Sequence, residues 1–262
     1  MSLATLQARI ALAMHHPNSS ISAEGIVTEA LKHKVYLAWS GGRCSTIALH
    51  IALEQDPDIP VMFNNTGVEY PETVKYVREK AVEWGLNFHE VKPDIDYWTI
   101  VKKYGFPQLR GSGGKSRPRK PMCCVLLKEK PADKFRRDGG FDGYITGLRV
   151  EENRPRALAI YQRGPFYLAK RDDVWRFHPV AVWSLAKVNE YAESHRIELN
   201  PLYDRGLPRI GCWPCTGFMD WREQLKLTDP DRYRALNRMY QKSVGEPTLW
   251  EYVDNYDLCE EE

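Results

Sequence analysis

Four of the six cysteines in this chain fall in two local pairs, the adjacent Cys123 and Cys124 and the Cys212-Trp213-Pro214-Cys215 turn. Four thiolates suit either tetrahedral zinc or a [4Fe–4S] cluster, and spacing alone leaves the metal open. Zinc ribbons use two Cys-x-x-Cys knuckles that wrap the backbone around one ion, and an adjacent pair strains that wrap. A cluster presents several iron atoms and accommodates neighbouring ligands more readily. The plain alternative is four buried apolar cysteines, which leaves their grouping unexplained.

A second constellation is the turn Ser40-Gly41-Gly42-Arg43-Cys44-Ser45-Thr46. Unpaired amides and the helix dipole at a strand–turn–helix junction attract anions, and glycines let a phosphate approach the backbone. A βα turn with a capping serine is the bland alternative, and neither the P-loop lysine nor G-x-G-x-x-G is present. Ser40, Gly41, Gly42, Arg43, Ser45 and Thr46 are candidate phosphate contacts. Asn65 and Thr66 belong to a similar strand end, where the crevice of an open α/β sheet lies. Arg149, Arg154 and Arg156 follow Thr146 and Gly147, and guanidinium forks suit sulfate or phosphate oxygens; a solvated loop is their alternative. Lys128, four residues after Cys124, faces the same side if that segment is helical. Cys44 stands beside the turn, either as a thiol activated by a helix N-terminus or as a small buried filler. Around Cys259 the acidic tail raises a thiol pKa and suppresses the thiolate.

These groups need a scaffold, and the apolar pattern supplies one. Residues 3–14 and 23–33 have helical spacing, with Ser22 as N-cap of the second. Strand signals at 35–39, 59–63, 87–91, 144–147 and 177–180 alternate with helical patterns at 45–53, 71–84 and 184–193. Pro71 sits at the favoured first turn of its helix. The alternation predicts an α/β fold with a doubly wound, mainly parallel sheet. The domain reading is a helical preface at 1–33, a nucleotide-binding domain with the cysteine site at 34–217, and a helical extension with an acidic tail at 218–262. Residues 108–122 carry Gly, Ser, Pro and basic residues without apolar period and read as a loop.

Composition narrows the class. With 37 basic and 35 acidic residues the net charge is +2, which argues against bulk nucleic-acid binding. Locally, Arg110 to Lys120 holds five basic residues and no acidic one, so it calls for a local anion. No run of eighteen apolar residues and no signal-peptide pattern is present, which predicts a cytoplasmic protein away from membranes. In a reducing compartment the cysteines favour metal or redox chemistry over disulfides. The histidines form no H-x-x-x-H or H-E-x-x-H pair, so hydrolase chemistry finds no support.

Residues 34–217 resemble the adenine-nucleotide α-hydrolase-like (PP-loop) fold and, within it, the sulfonucleotide (PAPS/APS) reductase family. Ser40-Gly41-Gly42 resembles its PP-loop, Phe63-Asn64-Asn65-Thr66-Gly67 with Tyr70-Pro71-Glu72-Thr73 its second-strand motif, and Thr146-Gly147-Leu148-Arg149 its substrate-binding segment. Asn200-Pro201-Leu202-Tyr203-Asp204 leading to Ile210-Gly211-Cys212-Trp213-Pro214-Cys215-Thr216 is the most specific match. The resemblance implies a [4Fe–4S] cluster on Cys123, Cys124, Cys212 and Cys215, with Lys128 beside it and Gly147 at the substrate. It also implies a C-terminal nucleophile, Cys259, which becomes an S-sulfocysteine. An adenine sulfonucleotide would be the substrate, and a thioredoxin-like, other dithiol or ferredoxin partner the reductant; a homo-oligomer is allowed for. Two departures stand out: Cys259 lies in Leu-Cys-Glu-Glu-Glu rather than a Glu-Cys-Gly-Leu-His-like tail, and Cys44 replaces the Asp of ATP-pyrophosphatase relatives. Alternative readings are an ATP-dependent sulfurtransferase that thiolates tRNA or DNA, and a non-catalytic nucleotide-responsive iron–sulfur protein.

Overall fold

The computed structural model describes residues 3–107, 121–152, 154–218 and 220–244. Cys259 and the basic loop from Arg110 to Lys120 lie outside the described residues.

Two helices come first, α1 (Leu3–Met14) and α2 (Ala23–Ala30). Ser22 caps α2 by accepting the Gly25 amide at 3.0 Å. Then strands and helices alternate: β1 (Val35–Ala38), α3 (Arg43–Leu53), β2 (Val61–Asn64), α4 (Pro71–Glu83), β3 (Phe88–Val91) and α5 (Tyr97–Tyr104). Further on come α6 (Met122–Cys124), a π turn (Val125–Glu129), α7 (Lys130–Asp138), β4 (Gly143–Thr146) and α8 (Arg154–Arg163). The chain continues through β5 (Phe166–Ala169), β6 (Val174–Phe177), α9 (Leu185–Ser194), α10 (Trp221–Thr228) and α11 (Pro230–Val244).

The six strands form one sheet in the order β3-β2-β1-β4-β6-β5. Neighbours from β3 to β6 pair in parallel, and β5 alone runs antiparallel, as a hairpin with β6. Parallel strands need crossovers, which the helices supply, and both faces of β1 and β2 are buried under them. Trp39, Phe63 and Phe177 are fully buried in the central core, each contributing about 1.5–3 kcal/mol. α2 belongs to that same core through Ala23, Ile26, Val27 and Ala30. α1 instead packs with α8 in a smaller cluster around Ala13, Val150 and Ala157. A third cluster joins Tyr97 and Ile100 of α5 to Trp221, Leu225, Tyr233 and Leu236 of α10 and α11.

Sequence and structure differ in a few places. The run read as a strand at 177–180 is β6 shifted upstream to Val174–Phe177. β5 (Phe166–Ala169) escaped the sequence reading. The stretch at Arg154 and Arg156, whose bland alternative was a solvated loop, is the first turn of α8.

Candidate functional site

β1 and β4 are adjacent and parallel, and from β1 the chain crosses one way to β2 while β4 leads on to β6 on the other side. This reversal opens a crevice at the carboxyl ends of the two strands. Ser40–Gly42 leaves β1 there and Gly147 leaves β4. Gly41 has φ +70°, in the left-handed region that favours glycine, and its bare Cα faces Val77 and Thr73 of α4. Gly147 is required by a close approach: a Cβ there would stand 2.3 Å from the Ser45 amide and 2.4 Å from the Cys44 carbonyl. β4 is therefore pressed against the first turn of α3.

The turn is held by its own side chains. Ser45 Oγ donates to Gly42 O at 2.8 Å, and Thr46 Oγ1 to the same carbonyl at 3.0 Å. The buried Trp39 indole donates to Thr46 Oγ1 at 3.0 Å. Thr46 is fully buried and Ser45 nearly so, which turns these two candidate contacts inward, while Ser40 is exposed. The Asn200-to-Tyr203 segment braces the turn from outside: Asn200 Nδ2 reaches Thr73 Oγ1 at 3.1 Å and Gly41 O at 3.5 Å. Tyr203 OH accepts the Arg43 amide at 2.9 Å, and its ring lies 3.9 Å beneath the Arg43 guanidinium. Arg43 also donates to Asn189 of α9 at 3.1 Å.

Arg149 is buried, and the structure spends its fork internally. Its Nε donates to Cys44 Sγ at 3.1 Å, and one terminal nitrogen donates to Glu151 Oε2 at 2.5 Å and to Trp183 O at 3.2 Å. Glu151 Oε2 also accepts the Leu185 amide at 2.8 Å, where α9 starts, and its carbonyl accepts from Arg9 of α1 at 2.6 Å. A closed ring results: Arg43 to Asn189, along α9 to Leu185, across to Glu151, and through Arg149 to Cys44 beside Arg43. Burial raises the Cys44 thiol pKa and Arg149 opposes that rise. Arg156 pairs on the surface with Glu152, and Arg154 is exposed. At the neighbouring strand end His178 is buried, shares a 2.8 Å hydrogen bond with Thr146 Oγ1, and is held down to about 3, chiefly by burial.

Beyond the β2 end lies the cysteine pocket. Asn65 Nδ2 donates to Glu90 at 2.9 Å, and its Oδ1 accepts the Gly67 amide at 3.1 Å. Thr66 Oγ1 donates to Glu69 at 2.9 Å. Glu69 pairs with Cys212 as an isolated antiparallel bridge, and the Trp213 amide donates to Val68 O at 3.0 Å. The Cys-x-x-Cys turn closes with Cys215 N on Cys212 O at 3.2 Å, and Tyr97 of α5 pins it by donating to Pro214 O at 2.8 Å. Met122–Cys124 brings in the other pair.

All four thiols share this pocket and act on one another. Cys123 is pushed well above the ordinary thiol range by its hydrogen bond with Cys124, then by burial and by the charges of Cys124, Cys215 and Cys212. Burial pushes Cys212 up to about 11 against the pull of Lys128, and burial also raises Cys215. The ammonium of Lys128, 3.6 Å from Glu69 Oε1, is itself held charged by Cys212 and Glu69. Protonated thiols turn to hydrogen bonds instead: Cys212 Sγ lies 3.7 Å from both Thr66 Oγ1 and Glu69 Oε1. Among the described residues, no three His, Cys, Asp or Glu side chains are drawn together as ligands of one metal ion. The donor set nevertheless fits a soft metal group: four sulfurs on two segments, in an apolar pocket where a cationic group would relieve their mutual repulsion.

Of the residues singled out in the sequence, the structure brings the turn, Lys128 and the four cysteines Cys123, Cys124, Cys212 and Cys215 to one edge of the sheet. Sequence reasoning missed Glu69, Tyr97, Glu151, Asn189 and His178. Glu151 sits two residues from Arg149 at a short 3-10 turn that gave no signal in the sequence, and the others meet the site from distant segments.

An open, mainly parallel sheet with a glycine turn at its switch point is an α/β architecture consistent with a PP-loop-like fold. Residues 34–218 match the phosphoadenosine phosphosulfate reductase domain, and the chain belongs to that family. It is 31% identical over 176 residues to an adenosine 5'-phosphosulfate reductase of Rhodococcus opacus, covering 65% of this chain and 64% of that one. An uncharacterized protein of Methanocaldococcus jannaschii is 28% identical over 235 residues, 88% of this chain and 45% of its own length. The chain therefore spans about half to two thirds of these two relatives. In fold it is similar to a phosphoadenylyl-sulfate reductase from Candida auris, with TM-score 0.58 and 19% identity over 81% of this chain and 96% of that one.

Proposed function

We propose that the chain is a sulfonucleotide reductase that takes APS or PAPS and releases sulfite and AMP or PAP. The carrying observation is that the glycine turn with Arg149 and the four-thiol pocket with Lys128 open on one sheet edge. In this reading the substrate phosphates lie at Ser40–Gly42, Arg43 and Asn65. Arg149 supplies positive charge from behind the first turn of α3, and Arg154 and Arg156 line the outer approach. Ser45, Thr46, Thr66 and Gly147 shape the turn and the strand ends.

A thiolate attacks the sulfate sulfur, the bond from sulfur to the phosphate oxygen breaks, and the nucleotide leaves with its electron pair. The enzyme then carries an S-sulfocysteine. One thiolate of a dithiol such as a thioredoxin-like protein attacks the cysteine sulfur of that adduct and expels sulfite, forming a mixed disulfide; its second thiol then displaces the enzyme cysteine as thiolate, and the dithiol ends as a disulfide. The resemblance assigns the nucleophile to Cys259. Cys123, Cys124, Cys212 and Cys215 would hold a [4Fe–4S] cluster, and the positive groups around it, Lys128 among them, would help place and polarise the transferring sulfate. Lys128 holds a proton and a positive charge between that pocket and the crevice.

The test is anaerobic purification with iron and sulfide quantitation, then sulfite detection with APS and PAPS separately under a dithiol. About four irons with sulfite from one nucleotide support the reading and fix the substrate. Iron without sulfite, together with pyrophosphate release from ATP in the presence of tRNA or DNA, would turn it toward sulfur transfer. Zinc in place of iron overturns the cofactor. Cys259→Ser is expected to abolish sulfite release and leave the visible absorbance intact.

A further inference from the structure

We infer that Asn64 is a positioning residue: from the end of β2 it clamps the π turn at Val125–Glu129 and thereby aims Lys128 between Glu69 and Cys212. The sequence explains why the helix widens here. Pro131 has no N–H, so it cannot answer a carbonyl one turn back, and the Lys130 amide bonds Val125 O five residues away instead of four. A π turn exposes carbonyls that an α-helix would satisfy, and it sits where a helix is locally weakest.

Asn64 meets that weakness directly, because its Nδ2 donates to the main-chain carbonyl of Lys128 at 2.8 Å. The other amide atom, Oδ1, is buried and has no hydrogen-bond partner among the described residues. A leucine of similar size would fill the same space without an orphaned acceptor, so the asparagine is best explained by the bond it donates. What the clamp controls is direction. Each α-helical residue turns the chain by about 100°, so relaxing the widened turn swings Lys128 relative to Cys123 and Cys124. In the clamped state its ammonium lies 3.6 Å from Glu69, a carboxylate whose side chain is only 6% exposed, while 43% of the lysine side chain remains exposed.

The catalytic value of this placement rests on the reductase reading, but the clamp itself does not. The experiment is competitive amine labelling of the full-length, anaerobically purified protein, read by mass spectrometry as the reactivity of Lys128 relative to Lys134. Asn64→Leu is expected to raise that ratio at least threefold while leaving the thermal midpoint equal or higher, because the unpartnered acceptor is removed. Asn64→Asp, which cannot donate, is expected to raise it as well and serves if the leucine variant folds poorly. Unchanged Lys128 reactivity in the folded variants overturns the proposal. With substrate, kcat is expected to fall about tenfold with KM within twofold. A raised labelling ratio in a chain that makes no sulfite in its native form would uphold the clamp and reject the reductase reading instead.

Discussion

The glycine turn and the cysteine pocket lie along one sheet edge and are held in opposite ways. Around the turn most polar groups meet partners from this chain: Arg149 has Glu151, Arg43 has Asn189 and the Tyr203 ring although its buried Nε meets no acceptor among the described residues, and Gly41 O has Asn200. In the pocket the thiols mainly face one another, and Lys128 is the cation that lowers Cys212 most. The turn is thus held mainly by protein contacts, whereas the pocket's donors await a positive group. Damage to the first should register as stability and nucleotide affinity, and damage to the second as metal content.

The widest separation is expected from Cys212→Ser, which should bring iron to background while a truncated turn contact leaves it unchanged; colorimetric iron assay checks this. Next comes Glu151→Ala. It strands Arg149 as a buried charge and frees the Leu185 amide, at an expected cost of about 3–5 kcal/mol, read from the urea midpoint. A smaller loss from Glu151→Ala than from a surface change such as Glu79→Ala would refute the ring of contacts.

Acid comes third. His178 takes up a proton near pH 3 in the fold and near 6.5 when unfolded. Between these values the unfolded chain binds more protons, so stability falls as pH drops from 6.5 toward 3, by at most about 1.4 kcal/mol per unit. His178→Gln should flatten that limb in denaturation curves taken across the range. Gly147→Ala forces a Cβ against the Ser45 amide and should cost about 1–3 kcal/mol, with weaker AMP binding by calorimetry. The smallest effect is expected for Tyr203→Phe. It removes the acceptor of the Arg43 amide, about 0.5–1.5 kcal/mol, and keeps the ring under the guanidinium.

Legibility followed the range of the signal. β1, its glycine turn and α3 are written in consecutive residues, as are the Ser22 and Ser184 caps and Pro71 at the start of α4. The four cysteines could be grouped because ligand chemistry ties distant pairs together. Arg149 read as a ligand fork because nothing local announces that it is buried on Glu151. Asn200 and Tyr203 stood out as a motif without a role, since their partners lie some 130–160 residues away. The π turn follows from Pro131, whereas its clamp by Asn64 is a tertiary contact between residues 64 positions apart and has no local signal.

The antiparallel hairpin at the sheet edge has a bearing on the order of assembly. β5 and β6 are joined by a short turn with Asp173 at φ 50°, so they can pair within about 1–10 μs. β1 and β4, at the centre, can pair only after the chain between residues 38 and 143 has closed, and loop closure of that length slows folding. The crevice formed where Gly147 meets the first turn of α3 is therefore among the last features to appear. A refolding chain should regain its hairpin well before it can retain a nucleotide, and recovery of binding is the stricter clock of the two.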